Sequence, residues 1–189
     1  MRKIIEERVS APQDGYDAQR ACSQRIEDQT VSNAVDAGER LIRLIRKHAG
    51  QGNHGTGCDR ATIRAAEQLL CAAFPPSYRR LVEEFGTWDI AGAEFLGVYL
   101  TSAAGETLLG SVTATLDARR QYGMPENLIA VMYDGMGGIL VLDTSRPDAD
   151  GEYPVLVWNP NVRDRDDMEK LGADFGTVAL AMCQQAVRN

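Results

Sequence analysis

Apolar residues change their spacing along this chain, and the changes mark out its elements. From Asn33 to His48 they recur every three or four positions, at Ala34, Ala37, Leu41, Leu44, Ile45 and His48. That spacing predicts an amphipathic helix, with Arg40, Arg43, Arg46 and Lys47 on its wet face. Ile63, Ala66 and Leu70 repeat the pattern in a second helix, and Asp59 is placed to cap its start. Pro75-Pro76 breaks that run and suits the first turn of a third helix. Its Tyr78, Leu81, Val82 and Phe85 share one face before Gly86 stops it. Ile90 to Leu100 reads as one or two short strands, bent at Gly92 and Gly97. Val112 to Tyr122 is a further helix, with Val112, Leu116 and Tyr122 inward and Arg119 and Arg120 in water.

The pattern then becomes nearly continuous. Leu128 to Tyr133, Ile139 to Asp143 and Pro154 to Trp158 are apolar runs rich in strand formers. Asp134-Gly135-Met136-Gly137-Gly138 joins the first two, and a polar loop from Arg146 to Glu152 precedes the third. Connections this short predict an antiparallel meander, not βαβ units. Asp166 to Val187 reads as a last helix with the stripe Leu171, Phe175, Val178, Met182 and Ala186. The fold class expected is α+β: a single mixed or mostly antiparallel sheet with a C-terminal meander, packed against several helices. Residues 1–32 read as a loose extension with a short helix from Tyr16 to Asp28, and residues 33–189 as one domain.

A chain of 189 residues, 44% hydrophobic and 25% charged, has the make-up of an ordinary globular domain. No apolar run approaches the ~18 residues of a membrane span, and Met1 to Ser10 lacks a signal-peptide core. A cytoplasmic protein is expected. Cys22, Cys58, Cys71 and Cys183 are widely spaced, with only His48 and His54 beside them, so neither a zinc site nor a disulfide framework is expected. Cys71 and Cys183 fall in apolar helical patterns and read as buried thiols. Residues 33–80 carry eight Lys/Arg and four Asp/Glu, a net of +4, whereas residues 81–189 carry seven and seventeen, a net of −10. The acidic half disfavours direct nucleic-acid binding and suits a basic protein partner.

Phosphate-loop, hydrolase-elbow and metalloprotease motifs are missing. The glycines of Gly50 to Gly57 lack both a preceding strand and the Lys-Ser/Thr ending. Asp148-Ala149-Asp150 and Asp164-Arg165-Asp166-Asp167 are the carboxylate groups that a metal-dependent hydrolase would have to use, and neither has calcium-loop spacing.

One set of motifs is specific in combination. Glu67, Phe74-Pro75-Pro76-Ser77-Tyr78-Arg79-Arg80-Leu81 and Phe85-Gly86 resemble the opening signature of the SUKH superfamily, the Smi/Knr-type proteins. Leu96-Gly97-Val98 and Tyr122 to Val131 resemble its following strands. Leu142-Asp143-Thr144, Gly151-Glu152-Tyr153-Pro154-Val155 and Trp158 resemble its closing meander, most like the bacterial YobK-type members. Phe74 stands where the family usually has Leu, and Thr87-Trp88-Asp89-Ile90 replaces its glycine-rich turn.

The resemblance implies a non-enzymatic immunity protein, without cofactor or metal, that binds a cognate bacterial toxin, often a nuclease. Fungal relatives act as interaction modules in cell-wall regulation, so a regulatory scaffold is the alternative. The candidate contacts are Asp89, Glu94, Asp134, Asp143, Asp148, Asp150 and Glu152, which would steer the acidic inhibitor onto a basic partner. Trp88 and Tyr133 are the candidate aromatic anchors, although Trp88 also reads as a core residue.

Overall fold

A computed structural model describes residues 32–101, 107–161 and 167–188. The expected N-terminal helix and Asp164 to Asp166 lie outside the described residues. The Ser32 hydroxyl accepts from the Val35 N–H and caps the first helix.

Five helices and eight strands follow in the order α1 (Asn33–Lys47), α2 (Arg60–Leu70), α3 (Pro76–Phe85), β1 (Trp88–Ile90), β2 (Ala93–Phe95), β3 (Val98–Thr101), β4 (Thr107–Gly110), α4 (Ser111–Tyr122), β5 (Leu128–Tyr133), β6 (Ile139–Asp143), β7 (Val155–Trp158), β8 (Glu169–Gly172) and α5 (Phe175–Ala186) among the described residues. The α+β class holds, and the meander is present as a four-stranded antiparallel sheet in the order β5-β6-β7-β8. A single sheet does not form. Among the described residues the hairpins β1-β2 and β3-β4 are separate two-stranded sheets, and Gly110 ends β4 with a positive φ.

The meander reads as continuous apolar runs because both its faces are buried. Ile129, Val131, Leu140, Leu142 and Val155 join the core formed with α1, α2, α3 and α5. Leu128, Ala130, Val141, Leu156, Trp158 and Met168 pack with Ala114 and Ala118 of α4 in a second cluster. The outer edge of β5 is closed by side chains and by β2. The Ser111 hydroxyl donates to the Ala130 carbonyl (2.6 Å), the Ala130 N–H donates to Thr115 Oγ1 (2.9 Å), and the Leu96 N–H donates to the Val131 carbonyl (2.8 Å).

α3 carries the face that its sequence predicts, with Tyr78, Leu81, Val82 and Phe85 all buried. The rings of Phe74 and Phe175 meet Tyr78 edge-on, each with centroids 5.0 Å away. Its hydroxyl donates to the Leu96 carbonyl at 2.6 Å, tying α3 to the chain just beyond β2. Burial pushes the phenol well above its ordinary range, with a hydrogen bond to Ser111 opposing it. Tyr78→Phe should therefore lower stability by about 1–2 kcal/mol in urea unfolding, by orphaning one carbonyl without opening a large cavity.

Three expectations are corrected. The last helix begins at Phe175, not Asp166: residues 169–172 pair with β7, and the Asp174 carboxylate accepts from the Thr177 N–H to start α5. Its buried face is Phe175, Gly176, Ala179, Leu180 and Cys183, so the expected stripe was rotated. Arg119 does not face water. Its guanidinium donates to the carbonyls of Leu70 and Leu128 and pairs with Glu126, latching α2, α4 and β5 together, while Tyr122 is exposed. Cys183 is buried, and desolvation pushes its thiol up to about 12, but Cys71 is exposed at the left-handed C-terminal turn of α2.

Candidate interaction surface

The nine residues singled out in the sequence separate into interior supports and two surface groups. Three are buried and are corrected from partner contacts to structural ones. Trp88 stacks its indole on Phe95, centroids 5.5 Å apart, and meets Phe175 edge-on beneath β1. Asp143 ends β6 inside the fold, where Oδ1 accepts from Asn127 Nδ2 (2.8 Å), the Ser145 N–H (3.0 Å) and the Ser145 hydroxyl (2.6 Å).

Glu152 is the least expected of the three. The Asp148 carboxylate accepts from the N–H groups of Asp150 (2.9 Å) and Glu152 (2.8 Å), which folds the loop back on itself and turns Glu152 inward. Glu152 Oε1 then accepts from the Ser77 N–H and Oε2 from the Ser77 hydroxyl, both at 2.7 Å. Ser77 lies in the first turn of α3, whose own cap position is Pro75 and offers no side chain. A carboxylate 75 positions away thus caps the helix. The Ser77 oxygen also accepts from the Gly176 N–H (3.1 Å), so one buried node joins α3, α5 and the meander loop. Burial raises the Glu152 pKa, the two Ser77 hydrogen bonds oppose this, and Asp174 and Asp148 add to the rise. Glu67 supports the same helix from the other side, accepting from the Phe74 N–H at 2.7 Å and pairing with Arg79.

The exposed group lies at one end of β5 and on the β1-β2 hairpin. Tyr133 ends β5 and is 54% exposed. Asp134 follows, and its Oδ1 accepts from the N–H groups of Met136 (2.7 Å) and Gly138 (2.8 Å), which fixes the turn and holds Met136 out at 88% exposure. Tyr122, at the end of α4, is 59% exposed. Burial first, then the charges of Asp117 and Tyr122, raise the Tyr133 pKa. The same end of β5 meets the β1-β2 turn, where Ala91, Gly92 and Ala93 share a cavity wall with Met132. On that hairpin Asp89 and Glu94 are direct cross-strand partners. Asp89 Oδ2 accepts from the Asn53 N–H at 3.0 Å, and Glu94 is exposed. Two like charges held opposite each other disfavour a hairpin, and the Asn53 N–H offsets part of this at Asp89. Asp148 and Asp150 are exposed elsewhere, on the loop before β7.

The surface therefore combines exposed aromatic and thioether groups with the carboxylates of Asp89, Glu94 and Asp134, while Asp117 pairs with Arg120. Sequence reasoning missed Met136 and Tyr122. Met136 carried a signal, as a lone large apolar residue between turn glycines. Among the described residues, no three His, Cys, Asp or Glu side chains converge to hold a metal ion, and no helix is long and apolar enough to cross a membrane.

A family model described as SMI1-KNR4 cell-wall, of the SUKH group, matches residues 39–174. A search among curated proteins gave no match.

Proposed function

Because the chain belongs to the SMI1-KNR4 family of SUKH proteins, we propose that it is a non-enzymatic immunity protein that binds and neutralises a cognate bacterial toxin, with a nuclease domain as the target. The observation that carries this reading is the exposed pair Tyr133 and Met136 at the turn between β5 and β6, on either side of Asp134. Tyrosine and methionine are what protein-binding surfaces expose, because each gives a large apolar contact with a polar or polarisable handle. An apolar centre rimmed by acid suits a partner whose own surface is basic, as a nucleic-acid-cleaving domain must be. The net of −10 over residues 81–189 supplies the long-range attraction, and shape at the β5-β6 end supplies the fit.

Inhibition on this reading is occlusion. The bound chain covers the basic cleft and excludes substrate phosphates, and no bond is made or broken by the inhibitor. Co-expression with a candidate nuclease toxin from the same genome tests the proposal: cells should survive with this chain and die without it. Failure to rescue, with no complex formed by the purified proteins, would end the reading for that pair. Charge reversal tests the steering. Asp89→Lys with Glu94→Lys should slow association by about tenfold at low salt and flatten its salt dependence. An unchanged on-rate would remove the hairpin from the interface.

A further inference from the structure

The two edges of the four-stranded sheet differ. Side chains of α4 and the backbone of Leu96 close the β5 edge. At the other edge β8 pairs with β7, and no further strand follows it among the described residues. Beside β8 lies a cavity of about 370 Å³. Its floor is the buried Pro154, Leu156 and Met168, and its rim carries Arg146, Lys170 and Asp148. Lys170 is the cross-strand partner of Leu156, so both lie on the same face of the sheet.

Among the described residues the two cations of this rim share one cavity without a carboxylate bound to either, whereas the unpaired Arg40, Arg43, Lys47, Arg60, Arg64 and Arg188 line neither this cavity nor the one beside Met132. Arg46, Arg79, Arg80, Arg119 and Arg120 each hold a carboxylate. Arg146 and Lys170 hold none among the described residues, although both are exposed and Asp148 shares their cavity. Asp148 is engaged with the N–H groups of its own loop. Two unpaired cations therefore share a cavity with an apolar floor, within a half-chain whose net charge is acidic.

We propose that β8 and this cavity receive an extended acidic segment of a protein partner. Its backbone would add to the free edge of β8, and one of its carboxylates would sit between Arg146 and Lys170, with an apolar neighbour two positions along on the Leu156–Met168 floor. Alternate residues of an added strand share one face, so a carboxylate and an apolar side chain two positions apart would both face the cavity. A nucleic acid fits poorly, because the surrounding negative field repels a polyanion that only two cations would hold. This surface is distinct from the Tyr133–Met136 end and opposite to it in local charge, so it does not depend on the toxin reading.

Calorimetry on the full chain with two short capped peptides, one repeating Glu-Thr-Val-Thr and one repeating Gln-Thr-Val-Thr, so that the Glu or Gln and the Val share one face of an added strand, tests the proposal. The Glu peptide should bind about tenfold more tightly. Arg146→Ala with Lys170→Ala should erase that preference while leaving the unfolding midpoint in place. Should the alanine pair lose its fold, Arg146→Gln with Lys170→Gln is read in its stead. Hydrogen exchange at Glu169–Gly172 should slow when the Glu peptide is bound. Equal binding of the two peptides, a preference that survives the double variant, or unprotected β8 amides would each overturn the proposal. The last outcome would indicate simple anion binding without strand addition.

Discussion

Gly97→Ala should leave the chain unfolded or recoverable only as aggregate. Gly97 lies between two other glycines where three backbone segments cross. The Val98 N–H donates to the Gly86 carbonyl and the Ser111 N–H donates to the Gly97 carbonyl, both at 2.7 Å. A Cβ at Gly97 would fall 1.5 Å from the Gly86 oxygen and 2.5 Å from its carbon. Those atoms are backbone, so no rotamer change relieves the clash. Opening the crossing would break both hydrogen bonds and separate α3 from β3. It would also disturb Leu96, which holds both the Tyr78 hydroxyl and the edge of β5. The expected loss exceeds ~4 kcal/mol, a large share of the stability of a domain this size. Circular dichroism and soluble yield would check it. A folded Gly97→Ala protein with a midpoint near that of the native chain would mean that the crossing is not this close.

Glu152→Ala should cost about 3 kcal/mol in chemical unfolding. The substitution uncaps α3 and leaves the Ser77 N–H and hydroxyl unsatisfied where no water reaches. Glu152→Gln should cost less, because its amide oxygen still accepts from the Ser77 N–H. The pair also differ in pH dependence. Burial raises the Glu152 pKa in the folded chain above its unfolded value. The stabilisation linked to its proton is then complete below the unfolded pKa and is lost as pH rises through the folded one. The native chain should lose stability relative to Glu152→Gln over that rise, and a parallel pair of pH profiles would contradict the assignment.

Much of the scaffold was legible because burial on both faces leaves an unmistakable apolar run. β5, β6 and β7 were readable for that reason, and α3 was readable because Tyr78, Leu81, Val82 and Phe85 keep helical spacing between a proline and a glycine. β8 was not, since Glu169-Lys170-Leu171-Gly172 is a short edge strand whose partner, β7, supplies the pairing that its own residues do not announce. Arg119 was misplaced because an arginine on a helix looks solvated until three carbonyls from other elements converge on it.

The candidate surface was legible only in part. Tyr133 and Asp134 stand out as an aromatic and a turn acid at the end of a strong strand. Glu152 looked like one more loop carboxylate. Its inward aim depends on the fold that Asp148 imposes and on a helix start far away in the chain. Trp88 was ambiguous for a similar reason: in a two-stranded hairpin the side that faces the core is set by Tyr78, Phe95 and Phe175, not by the local sequence.

The affinity of the purified chain for its toxin, measured for the native protein and for Tyr133→Ala with Met136→Ala, bears most directly on the proposed role. Both side chains are exposed, so the variant should unfold at the native midpoint. Its dissociation constant should rise about a hundredfold, chiefly through faster release. An affinity that stays at the native value, with the fold intact, would show that the β5-β6 end is not where this protein takes hold of its target.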